Sequence, residues 1–261
     1  MVSRLSSLAF GTLACALLAA APAAARVDDE PLPRFEDPVC PGVAGLQVES
    51  AETMVGLIRG NLEALGLSAA PEATCTPNVV IAFVGDGQAF LRRLSDNQDL
   101  LFADMSRPER LALLAETGPV RAVLKVWTRT RDGMVVSRRD NLTDLPELFA
   151  NAAHSRIYTA NRNDIVSALV LIDRAAVSGL SLQQLADYAT FRALTRTLPP
   201  ADARGESIVG LFEAGASRPA GLTEFDRAFL ATLYEGVPNL PGSSRLAALT
   251  DATGYDFPAE E

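Results

Sequence analysis

Two uninterrupted apolar runs, NVVIAFVG at 78–85 and IVSALVLID at 165–173, constrain this chain most. Each is too short to span a membrane. Both are bounded by turn-forming or polar residues, so both read as buried strands. Helix patterns surround them. SAETMVGLIRGNLEALG opens on Ser50 as a cap and repeats Met54, Val55, Leu57, Ile58, Leu62 and Leu65 at amphipathic spacing until Gly66 stops it. GQAFLRRLSD follows Asp86, a capping residue, and SRPERLALLAETG has Ser106 as cap with proline in the first turn. GLTEFDRAFLATLYEG sets Thr223 and Asp226 at capping-box spacing, and the chain after it reads as loop. Strands and helices mix irregularly, so the expected class is α+β, a mixed sheet with packed helices.

Between the two strands, VRAVLKVWTRTRDGMVVSRRD alternates around Asp132-Gly133, a strong hairpin signal. Arg129, Arg131, Arg138 and Arg139 read as solvent-facing charges that protect an edge hairpin from pairing with other chains.

The first residues belong to no fold. Arg4, the apolar stretch LSSLAFGTLACALLAA and the small-residue end APAAA form a secretory signal peptide over residues 1–25, ending at Ala25. Cys15 in TLAC is a poor lipobox match, and its lipidation stands as the alternative. Residues 26–45 are rich in proline and acid and read as a tether that becomes ordered near Cys40, leaving one α+β domain over 46–261. Without Arg4 the chain carries 22 Lys and Arg against 32 Asp and Glu, a formal net charge of −10. A basic face for nucleic acid or anionic membranes is not expected from such a balance. No later stretch approaches a membrane span. The exported chain keeps two cysteines, Cys40 and Cys75, and an even count outside the cytoplasm points to a disulfide between them. Localisation is expected to be periplasmic or secreted.

Three segments carry a resemblance. The strand IVSALVLID leads into LADYATFRALTRT; then come SIVGLF at 207–212 and LTEFDRAFLATLYEG. This order resembles the C-terminal half of metzincin-type zinc peptidases, matrixins among them, in which a strand leads to an HExxHxxGxxH helix, a Met-turn and a closing helix similar to LTxxDxxxLxxLY. Leu222, Thr223, Asp226, Leu230, Leu233 and Tyr234 match that last pattern. The ending is also similar to that of a group of secreted bacterial proteins of uncharacterised function. The resemblance covers about 70 residues.

Its chemistry is missing. Aligned on the helix, Asp187 and Phe191 stand at the first two histidine positions and Tyr188 at the glutamate position. Phe191 cannot ligate, Tyr188 is too weak an acid to serve as the base, and His154 is the only histidine in the chain. A zinc peptidase of the HExxH type is therefore excluded, and no metal, cofactor or catalytic residue is assigned. An ordinary core helix explains the same residues, since Leu182, Leu185, Ala186, Ala189 and Ala193 form one apolar stripe, and Tyr188, Phe191 and Leu198 a second. No GxSxG elbow or phosphate-binding loop is found, and His154 reads as a structural or surface histidine. What remains is an exported non-catalytic binding or accessory protein of the cell envelope. Its candidate cleft lies near Tyr188, Arg192 and Asp187, and its partner is an unknown envelope protein or small ligand. The alternative is a metal-independent hydrolase using carboxylates in the same cleft.

Overall fold

The computed structural model describes residues 29–97, 100–102, 105–135, 155, 157–213, 215 and 218–257. Residues 1–25, read as a signal peptide, with Cys15 among them, and Arg138, Arg139 and His154 lie outside them. Among the described residues stand four strands and six helices, the α+β class expected. The strands are β1 (Pro41–Ala44), β2 (Val79–Val84), β3 (Val120–Thr130) and β4 (Asn161–Asp173). They line up as β1-β2-β4-β3, with β1, β2 and β4 parallel and β3 antiparallel at one edge.

Both faces of this sheet are covered, which is why its strands read as unbroken apolar runs. On one face Ile81, Phe83, Val170 and Ile172 meet α1 (Val48–Ala64) and α4 (Leu182–Leu194). On the other, Ala82, Val123 and Leu171 pack against Leu91 of α2 (Gly87–Asp96) and Leu113 of α3 (Arg107–Ala115). Helix α5 (Glu224–Tyr234) contributes Phe225, Phe229, Leu230 and Leu233 to the larger core. Helix α6 (Gly242–Thr253) packs on α5 through Leu249.

Local signals were accurate at three side-chain caps, although the Ser181 cap of the fourth helix was not read. Asp86, Ser106 and Thr223 each accept from the backbone N–H three residues on, and the last two complete capping boxes with Glu109 and Asp226. Ser50 does not cap α1, which begins two residues earlier after Gln47; Gly66, at φ +69°, ends it as read. The C-terminal stretch read as loop contains α6, a helix whose N-cap Pro241 supplies no side-chain bond.

Two larger corrections concern the sheet's lower end. The Asp132-Gly133 turn forms, with Thr130 N–H donating to Met134 O at 2.8 Å, but the return strand beyond Val135 lies outside the described residues. The strand that pairs β3 along its whole length is β4, from Val120↔Ile172 to Thr130↔Asn161. The acidic segment read as a tether is integrated from Asp29 onward. Its Phe35 and Val39 are buried, Arg34 bridges to β4, and residues 41–44 are a strand of the sheet. The disulfide Cys40–Cys75 joins the start of β1 to the loop before β2, as the cysteine count indicated.

Candidate functional site

Helix α4 is fixed at its start by a capping box between Ser181 and Gln184, and Gln184 Nε2 also donates to Pro219 O at 2.7 Å. From Leu185 to Phe191 every residue is buried. A helix so apolar on most sides must be enclosed on most sides, and here α1 and β4 border it together with the 3-10 turn Ile208–Phe212, the SIVGLF segment. Phe191 is fully buried, its ring 5.2 Å from that of Phe229. Tyr188 is 4% exposed and meets Phe212 edge to face at 4.8 Å.

The three cleft candidates do not converge. Asp187 is buried and committed: Oδ1 accepts from Asn61 Nδ2 and Gln183 Nε2, both at 2.7 Å, and Oδ2 accepts from Leu222 N–H at 2.7 Å. A side chain at 221 would collide with this carboxylate, so Gly221 is what lets the backbone come so close. Asp187 thus braces α1, α4 and the loop entering α5. Tyr188 and Arg192 do share a face, as their i,i+4 spacing implied, with Arg192 Nη1 donating to the tyrosine oxygen at 3.3 Å. Burial raises the Tyr188 hydroxyl above its ordinary pKa although Arg192 opposes it. Glu116, which ends α3, belongs to the same neighbourhood. Burial raises its carboxyl, while Arg192 and Arg121 pull it down. Nothing in the sequence marked Glu116, because it comes from a helix on the opposite face of the sheet.

A second cluster was also invisible in one dimension. Asp164 of β4 is 1% exposed. Arg162 reaches both of its oxygens, Nε to Oδ1 and Nη2 to Oδ2, each at 3.0 Å, and Arg129 Nη1 reaches Oδ2 at 3.2 Å. Arg129 also pairs with Asp37 at 3.2 Å, and Arg34 with Glu36 at 2.6 Å. Arg34 further donates to the carbonyls of Leu233, Glu235 and Gly236 at the end of α5. Burial raises the Asp164 carboxyl, against the pull of Arg162 and Arg129. Arg129 is thus mostly enclosed rather than solvent-facing, a correction to the edge-guard reading; Arg131 is exposed as expected.

Two small cavities lie among the described residues. One, of about 10 Å³, is an apolar void between α1, α4 and the sheet, lined by residues such as Ile58, Ile81 and Leu194. The other, of about 30 Å³, opens beside β3 between Leu101, Met105, Leu124, Glu109 and Arg196. Among the described residues no three His, Cys, Asp or Glu side chains gather as a metal site. Comparison with protein families, curated proteins and solved structures found no match.

Proposed function

We propose that this chain is an exported, non-catalytic binding or accessory protein of the bacterial cell envelope, on a scaffold resembling a zinc peptidase without its ligands. One observation carries the reading. At the helix positions where the resemblance would set two zinc ligands and a base stand a carboxylate held by three hydrogen bonds, a buried phenylalanine and a buried tyrosine. Phe191 has no ligating atom, burial keeps the Tyr188 hydroxyl protonated, and the Asp187 carboxylate is held by donors from α1, α4 and the loop entering α5. One further feature supports it. A disulfide is characteristic of proteins that mature in an oxidising compartment. The half-buried Arg192 and Glu116, which lie beside the buried Tyr188, are the contact face in this reading.

Metal content of the purified protein, with thermal unfolding followed with and without a chelator, tests the reading. Zinc well below one equivalent and an unchanged midpoint are expected; one bound zinc and a chelator-sensitive midpoint would overturn it. Crosslinking in the envelope fraction then tests the face, and Arg192→Glu is expected to reduce partner recovery where a substitution on the exposed side of α1 does not. The hydrolase reading has Glu116 in its favour, a partly desolvated carboxyl beside a tyrosine and an arginine. Loss of a measured hydrolytic activity in Glu116→Gln would select it instead.

A further inference from the structure

Helix α6 depends on contacts that its own sequence does not supply. Gly242, two serines and two threonines among its residues give it weak intrinsic helicity. Its first N–H groups have no partner within the helix, and Pro241 at the N-cap has no side-chain oxygen to offer them. The cap comes from the far end of the chain. Asp29 Oδ1 accepts from Ser243 N–H and Oδ2 from Ser243 Oγ, both at 2.7 Å. A Cβ at 242 would collide with Glu30 O, so the glycine that weakens the helix also admits the segment that caps it. The same segment finishes α5. Arg34 donates to the carbonyls of Leu233, Glu235 and Gly236, and Phe35 N–H donates to Tyr234 Oη at 3.1 Å. An acid thus stands at the start of α6 and a cation at the end of α5, as the two helix dipoles favour.

The two ends of this segment are held unequally. Arg34 and Phe35 are buried, and Arg34 joins β4 in strand fashion, its N–H donating to Asn163 O at 3.2 Å and its carbonyl accepting from Ile165 N–H at 2.9 Å. Asp29 and Glu30 are exposed, so water competes for the bonds at that end. What α6 covers is aromatic. It packs chiefly on α5, and just beyond its end Tyr255 meets Phe225 edge to face at 5.6 Å and Phe257 meets Phe229 at 5.5 Å. We infer that α6, with the turn after it, is a lid over the Phe225 and Phe229 face of α5, and that residues 29–31 are the strap that holds it shut. The strap lets go at Asp29 first and stays anchored at Arg34. Opening breaks the two Asp29 bonds, the bonds of Arg245 to Thr232 O and Val237 O, and the burial of Leu249. The sheet stays paired, so opening costs less than unfolding the whole molecule. The inference is independent of the functional reading above.

Native-state amide hydrogen exchange of the purified protein, resolved by residue, tests it. In the parent, amides in the second half of α6 are expected to exchange faster than those of β2 and β4. Asp29→Ala is expected to speed the α6 amides about fivefold, the factor for losing one helix cap, and to leave β2 and β4 unchanged. Ser243→Ala added to Asp29→Ala should bring no further rise, because its partner across the chain is already gone. Circular dichroism checks that each variant is folded. Parent α6 amides as protected as those of β4 would overturn the lid, since α6 would then open only with the whole molecule. The strap is overturned if Asp29→Ala leaves α6 exchange unchanged, or if it speeds α6 and β4 by the same factor.

Discussion

Asp226 and Asp164 are equally shut off from solvent, at 0% and 1% exposure, yet the molecule satisfies them in opposite ways. Asp226, in the helical half, receives only neutral donors: Ser207 Oγ at 2.6 Å, Ile208 N–H at 2.8 Å, and the N–H and hydroxyl of Thr223, both at 2.9 Å. Asp164, at the lower end of the sheet, is answered by two arginines that are themselves shared with Glu36 and Asp37. Preformed backbone donors satisfy a carboxylate without importing further charge. Arginines bring long side chains and desolvation costs of their own, and buried ion pairs are weak evidence of net stability. The helical half should therefore depend steeply on Asp226, and the sheet end should be more forgiving.

Asp226→Ala is the severest way to break that contrast. It strands several buried donors at ~1–3 kcal/mol each, so a loss of about 3–5 kcal/mol is expected in denaturant unfolding. A loss no larger than that of Asp164→Asn would contradict the comparison. Phe191→Ala comes next, at about 3–4 kcal/mol for a ring with no exposure. Tyr188→Phe removes only the contact with Arg192 and should cost under ~1 kcal/mol; a larger cost would give that hydroxyl a structural role not seen here. Reducing Cys40–Cys75, which spans 35 residues, should cost about 3 kcal/mol and is read from the midpoint with and without reductant. An unchanged midpoint would mean that the hydrogen bonds between Cys40 and Asn78 hold that corner alone.

The smallest expected effect carries a pH signature. Burial holds the folded Asp164 carboxyl above its ordinary range, so the native chain takes up that proton more readily than the unfolded one. Its contribution is then present in acid and is lost as pH rises through the folded pKa. Asp164→Asn should remove this part of the decline in stability from about pH 4 upward. Parallel pH profiles for parent and variant would show that the arginines fully offset burial.

The two carboxylates also mark how far the sequence could be read. Asp226 was legible as a capping-box residue, because a cap is a contact between neighbours three positions apart. Its reach to Ser207 and Ile208 was not, since those partners lie 18 and 19 residues away. The strands at 78–85 and 165–173 were legible because burial on two faces leaves no polar alternation, and the helix at 182–197 because its apolar positions nearly encircle it. Arg129 was misread because its charge is answered by residues about 35 and 90 positions away. Tyr188 and Arg192 could be paired from i,i+4 spacing alone, but their burial against Phe212 and the approach of Glu116 could not.

By itself, then, the sequence determined the class of fold, the caps of three of the six helices, the cysteine pair and the absence of a three-histidine metal site. All of these rest on composition or on contacts within one element or turn. The order of the strands, the integration of residues 29–44, the commitment of Asp187 and the ionic clasp around Asp164 were decided only in three dimensions. Their energies arise between segments that approach one another only when the core closes, and a linear pattern carries no record of that approach.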